Sequence, residues 1–434
     1  MASIVWDRRA AAHLYRRAGF GATPEETDRA VDEGMEASVA RLVDYESIDD
    51  SALEQRLARA RIDPTTFVGI LRWWLLRMMY TARPLEERMT FLLHDHFATS
   101  AFKVQDPGWM LQQNELLRRY ALGDLTELTI EISRDPAMLV WLDNYLSRKE
   151  HPNENYGREL LELFLLGHGA YSEQDVMSAT RAFTGWTISR RTRQFTFIDA
   201  IHDHGQKTFL GQTGDWNGDD VVRIACESDA HAHFMAHKMF ESLAYANPDE
   251  HVIHQLAHVY HDSGTSMREL VRAILTSDAF YSDAAIWAKV KSPVDHAIAS
   301  VRQLRIDGDP SRFAASILAY QGQVPFNPPD VDGWPSGLAW INSGTLLGRM
   351  NYATAVTAAS DPFVIGAGAT IGNAAEMVSV FLDRLGPIDV PHETRARLEG
   401  WVSPDGGLPG AGEYAATGRG LAHLILSLAE WQLN

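Results

Sequence analysis

Four segments of this chain carry residue types from which reactive sites are built. The first is Glu86–Ser100, EERMTFLLHDHFATS, where His94 and His96 flank Asp95. On a helix, residues two apart point about 200° from each other, so the two imidazoles share one ligand only if the chain unwinds near His96. Otherwise one is buried and one is exposed. The second is Asn153–Tyr171, NENYGRELLELFLLGHGAY. Here Glu159 and Glu162 stand three apart on one helix face, Glu154 lies near the helix start, and Arg158 is four residues from both Glu154 and Glu162. Carboxylates among Leu160, Leu161, Leu163, Phe164, Leu165 and Leu166 are costly to bury unpaired. The acid stripe therefore faces either solvent beside Arg158 or a cleft that holds a cation. The third segment is His202–Leu210, HDHGQKTFL, with His202, Asp203 and His204 in an irregular stretch. A loop brings alternate residues together as a helix cannot, and histidines beside an acid are the usual material of zinc, iron or manganese sites. Lys207 just after them suits a substrate anion. The fourth is Gln323–Arg349, in which Pro328, Pro329 and Pro335 stiffen the chain while Trp334 and Trp340 add flat apolar surface. This loop either lines a site for a sugar-like or aromatic ligand or plugs a gap between helices.

The remaining histidines are weaker signals, because the chain has 17 and clusters arise by chance. His254, His258 and His261 share one helix face and read as a surface stripe. Nucleophile-elbow, P-loop, HExxH and dinucleotide-binding patterns do not occur in a suitable context.

The elements that must position these groups are mostly helices. Thr23, Pro24 and Glu26 form an N-cap, a first-turn proline and an N3 acid. Ser172 with Asp175 repeats the cap pattern, and a helix over Asn155–Leu166 is expected to stop at Gly167. The apolar run Leu71–Tyr80 contains two arginines and fits a core helix. Periodicity breaks over Gly185–Asp220, where RQFTFIDA reads as one strand of a hairpin. The expected fold is mainly α: one large multi-helical domain with a small irregular or β-hairpin insertion near 185–214. Its core spans 1–360 with the insertion at 185–220 and the Pro/Trp-rich loop at 322–343, and 361–434 forms a C-terminal helical subregion.

Composition bounds the function. The 434 residues are 45% hydrophobic and 22% charged, as in ordinary soluble globular chains, which excludes disordered and collagen-like readings. The net charge of −18 argues against nucleic acid or an anionic membrane as the main partner. A single cysteine, Cys226, excludes an internal disulfide and a cysteine-built zinc site. No apolar run of about 18 residues marks a membrane span. The charged N-terminal stretch lacks an apolar leader core, so the chain reads as cytoplasmic or as trimmed of its leader.

Taken in order, HLYRRAGFGATPEE, ERMTFLLHDHFATS, NENYGRELLELFLLGHGAYSEQDV, RAFTGW, HDHGQKTFLG and PPDVDGWPSGLAWINSGTLLGRMNYA resemble a large bacterial family, domain of unknown function 1800, from about His13 to about Ala353. The resemblance implies an α-helical bacterial protein whose gene often neighbours one for a sulfatase-like family, domain of unknown function 1501. It implies no catalytic residues. Many relatives begin with an export signal, and this chain departs from that.

The leading expectation is a metal-dependent enzyme, a hydrolase by default, with an oxygenase possible for a redox metal. A divalent ion (zinc, manganese or iron) would be held by His94, His96, His202, His204 and Glu154. Glu159, Glu162 and Asp203 would be catalytic, and Arg158, Lys207, Trp334 and Trp340 would contact a small-molecule or saccharide-like substrate. All three polar segments would meet in one cleft. The alternative is a non-catalytic helical scaffold, or a maturation partner of a sulfatase-like protein.

Overall fold

The computed structural model describes residues 4–410 and 412–434. Among them are twenty-three α-helices and two small two-stranded antiparallel sheets, so the fold is mainly α with its strands confined to the insertion. Local chemistry sets the helix starts. Thr23 and Glu26 close a reciprocal cap on the helix Pro24–Glu33, and Ser172 and Asp175 do the same for Glu173–Ala182. The apolar run becomes the helix Phe67–Tyr80, in which Trp74, Leu75, Leu76 and Met78 are wholly buried. Its Arg77 reaches the buried Glu87, which also receives Arg118 and the Trp74 indole.

The side chains pack into two cores. The first gathers most apolar residues from 11–45 and 117–280, and the second those from 53–79 and 294–431 together with Phe20, Val104, Met110 and Ala137. Helix Pro84–His96 feeds both: Leu85, Met89 and Leu93 enter the first, while Phe91 enters the second. Segment 361–434 shares the second core with helix Pro293–Gln303.

Two departures from the expected elements bear on function. The helix expected over Asn155–Leu166 is α only over Glu154–Glu159, and Leu160–Leu165 is a π-helix, with Leu166 N–H donating to Leu161 carbonyl at 2.9 Å. The insertion holds two hairpins rather than one. Strand β1 (Trp186–Ile188) pairs with β2 (Phe195–Phe197), the latter inside the expected strand segment. Strand β3 (Lys207–Phe209) pairs with β4 (Gln212–Gly214) across Leu210 and Gly211, both at positive φ as a type I′ turn requires.

Candidate functional site

The insertion brings three potential ligands together. One nitrogen each from His202 and His204 and one carboxylate oxygen of Asp215 lie within 4.8 Å of one another. His202 is buried, and its Nδ1 lies 2.7 Å from the Thr184 carbonyl. A carbonyl can only accept, so Nδ1 carries the proton and Nε2 keeps a free lone pair, the tautomer a metal ligand needs. Burial also lowers the His202 pKa, which keeps the ring neutral. His204 and Asp215 are about half exposed, so the cluster opens to solvent on one side. His204 Nε2 sits 3.1 Å from Asp199 Oδ1, and its Nδ1 sits 3.5 Å from Asp215 Oδ2. Gly185 is required for this packing: its φ is +83°, and a Cβ there would meet the Ile198 carbonyl and His202.

The other candidates in the insertion are already engaged. Asp203 forms a two-pronged pair with Arg181, at 2.6 and 3.0 Å, and that hydrogen bonding pulls its pKa down to about 2. It braces the loop and is a poor proton acceptor. Lys207, its side chain fully buried, donates to the Gly205 carbonyl at 3.1 Å and to Asp215 at 3.2 Å.

The acid helix lines a different cleft. Glu162, His168, His233, His237, Lys238 and Asp332 border a space of about 640 Å³. Tyr171 hydroxyl donates to Glu162 at 2.9 Å. Burial, joined by the neighbouring Glu162, raises the Glu159 pKa. Lys238 donates to the Leu163 carbonyl of the π-helix at 3.3 Å. Burial lowers its pKa against the pull of Asp95 and Asp332. Glu162 and Asp332 line this space, and the Asp332 charge also acts on Asp95 and Glu159.

This cleft and the histidine cluster lie at opposite ends of the helix Glu173–Ala182. Tyr171, the partner of Glu162, precedes that helix, and Thr184, the partner of His202, follows it. Ten helical residues span about 15 Å. The expected single cleft is therefore two sites, because the acid helix and the insertion meet this connecting helix at different ends. Glu154 belongs to neither. It is half exposed and pairs with Arg158 at 3.3 Å, while Arg158 binds Glu173 more closely, at 2.7 Å, and does not pair with Glu162.

His94 and His96 do not meet. His94 faces the second core, packed against Trp74, Phe326 and Trp334, with its Nε2 accepting from Phe326 N–H at 2.9 Å. His96 faces the first core against Phe97 and Phe164. Burial drives the pKa of His94 down to about 3 and that of His96 well below its ordinary value. The helix stays wound through His96, so the angular argument applies and both rings pack inside, neither at the surface. Trp334 and Trp340 are likewise buried in the second core, and Trp334 stacks on Phe91. They plug the helical stack, and the loop offers Asp332 to the cleft instead. Trp334 N–H donates to Asp95 at 2.9 Å, and Gly333, at φ +87°, leaves no room for a Cβ beside Asp95. Burial holds the Asp95 pKa up near 6.

Sequence reasoning missed Asp215, Lys238 and Asp332. Asp215 stands eleven residues after His204, a spacing no ligand rule marks, and reaches it only because β3 and β4 fold back. Lys238 follows His233 and His237 on the helix Asp229–Leu243, whose histidines read as one of the clusters expected by chance. Asp332 lay in the loop read only for its prolines and tryptophans.

A family described as protein of unknown function, DUF1800, matches residues 13–433. No curated protein and no solved structure matches the chain.

Proposed function

This chain belongs to the DUF1800 family, and from that premise we propose that it is a metal-dependent enzyme, a hydrolase by default, whose divalent ion is held by His202, His204 and Asp215. The observation that carries the proposal is the convergence of three ligand atoms of suitable type within 4.8 Å. Two imidazoles and one carboxylate fit zinc, iron or manganese and leave coordination positions for water and substrate. A bound ion supplies a nucleophile at neutral pH by acidifying its water.

The protein's own groups have separable tasks. The Thr184 carbonyl fixes the His202 tautomer and ring plane. Against the opposing effect of burial, the hydrogen bond and charge of Lys207 hold Asp215 ionised, and with Asp199 accepting from His204 Nε2 the Nδ1 that faces Asp215 would keep the lone pair a ligand needs. Asp203 and Arg181 brace the turn that carries His204. The acid helix, one helix length away, stands outside this ligand set.

The test is metal affinity. Titration of metal-stripped protein with zinc, manganese and ferrous ions, followed by calorimetry, is expected to show one site per chain. His202→Ala and Asp215→Asn should each weaken it at least tenfold, as losing a direct ligand does, while His254→Ala on the surface stripe leaves it unchanged. Equal affinity in wild type and His202→Ala would refute the assignment. Hydrolysis of ester, phosphoester and sulfate-ester panels by the loaded protein then identifies the reaction.

A further inference from the structure

The interior holds more positive charge than it balances. Arg16, Arg17, Arg88, Lys291 and Arg349 are all buried. The buried carboxylate Asp295 pairs with Arg88 and acts on Arg17, Lys291 and Arg349. Arg17 is satisfied by carbonyls: with Lys289 it caps the end of the helix Asp229–Leu243, binding the carbonyls of Glu241, Ser242, Leu243 and Ala244. That leaves Arg16, Lys291 and Arg349, among the described residues, with no carboxylate in salt-bridge contact, only the more distant pull of Asp389 on Arg16 and of Asp295 on the other two.

These three converge around Trp431. Lys291 lies over the Trp431 ring, 4.5 Å from its centre, and donates to the carbonyls of Trp431 and Leu433. Arg349 donates to the Lys291 carbonyl at 2.7 Å and to Gln432, next to Trp431, at 3.1 Å. Arg16 donates to the Gly386 carbonyl at 3.2 Å, next to Leu385, whose carbonyl accepts from the Trp431 indole. His296 packs edge-on against Trp431. The unmet hydrogen-bonding atoms of this region are mostly donors. Arg16 Nε and Nη2, Arg349 Nε, Trp287 Nε1 and both His296 nitrogens are buried without a hydrogen-bond partner among the described residues. Orphaned donors beside unbalanced cations describe the inverse of an oxyanion.

We propose that Arg16, Lys291 and Arg349, with His296, form an internal binding site for a small tetrahedral oxyanion of the phosphate or sulfate class. The site is independent of the His202 cluster. Burial and neighbouring cations depress the Arg16 pKa to about 9 and push Lys291 well down, and a bound dianion reverses both effects. Access is through Trp287. Its ring centre lies 3.7 Å from the Arg16 guanidinium carbon, and it is held at φ +63°, an unfavourable backbone region for a bulky side chain. Turning this ring aside uncovers Arg16. The enclosure favours a free inorganic ion over the phosphate group of a larger molecule.

Thermal denaturation and calorimetry with inorganic phosphate, sulfate and chloride at matched ionic strength test this. Phosphate or sulfate is expected to bind and raise Tm where chloride does not, and phenyl phosphate is expected not to compete. Competition by phenyl phosphate would overturn the free-ion assignment. Arg16→Gln and Arg349→Gln should each weaken phosphate binding more than tenfold, with the surface variant Arg397→Gln unchanged. Phosphate behaving like chloride, or binding equally to Arg16→Gln and wild type, overturns the site. If the buried variants do not fold, wild-type crystals soaked in tungstate give the answer. Anomalous density between Arg16, Lys291 and Arg349 supports the proposal, and tungstate at other positions only overturns it.

Discussion

Asp95 offers a quantitative check on how the long loop is held. Its carboxylate lies between the helix Pro84–His96 and the loop, accepting one hydrogen bond from Trp334 N–H, and burial lifts its pKa from 3.8 to about 6. A carboxylic acid with a raised folded pKa is protonated in both folded and unfolded states at low pH. As pH rises from about 4 to about 6 the unfolded chain ionises and the folded one resists, so stability falls through that window and then levels. A shift of about two units at 1.36 kcal/mol each comes to about 3 kcal/mol. Asp95→Asn keeps an oxygen for Trp334 N–H and removes the buried charge. The variant should match wild type near pH 4 and exceed it by about 2–3 kcal/mol at pH 8, less whatever attraction to Lys238 is lost. Urea unfolding at a series of pH values measures this directly. A variant less stable than wild type at pH 8, or an unchanged pH slope between 4 and 6, would show that Asp95 is stabilising as an anion and that the burial argument is wrong.

Two other substitutions separate surface from interior pairing. Arg158→Met should change stability by under about 1 kcal/mol, because its contacts with Glu154 and Glu173 are solvent-exposed, and a large drop in Tm would contradict that placement. Glu87→Gln should lower stability by about 3–5 kcal/mol in denaturant titration, since it leaves Arg77 and Arg118 without their shared, fully buried carboxylate. A loss under about 1 kcal/mol there would mean that water reaches the trio.

What was legible in the sequence follows from the range of the forces involved. Caps act within four residues, so Thr23 with Glu26 and Ser172 with Asp175 announced two helix starts. The opposed directions of His94 and His96 followed from helix geometry alone. The π-helix at Leu160–Leu165 was not legible, because its residues are good α-helix formers and the widened turn is set by what packs around it. Asp215, Lys238 and Asp332 join their sites only through tertiary folding. The same holds for the internal cations: Arg16, Lys291 and Arg349 lie far apart in the chain, and nothing local distinguishes them from surface residues. Trp334 and Trp340 left ligand wall and core plug equally open until their burial was known.

The helix Pro84–His96 is the feature with the widest consequence. Because Leu85, Met89 and Leu93 serve one core and Phe91 and His94 the other, neither core can loosen without disturbing the same rod of backbone. Two cores joined only by a linker would open separately. Here melting of either half uncovers a face of the shared helix, so the halves are thermodynamically coupled into one cooperative unit. The amide protons of this helix are then released to solvent only by global opening, and they set the slowest exchange in the molecule.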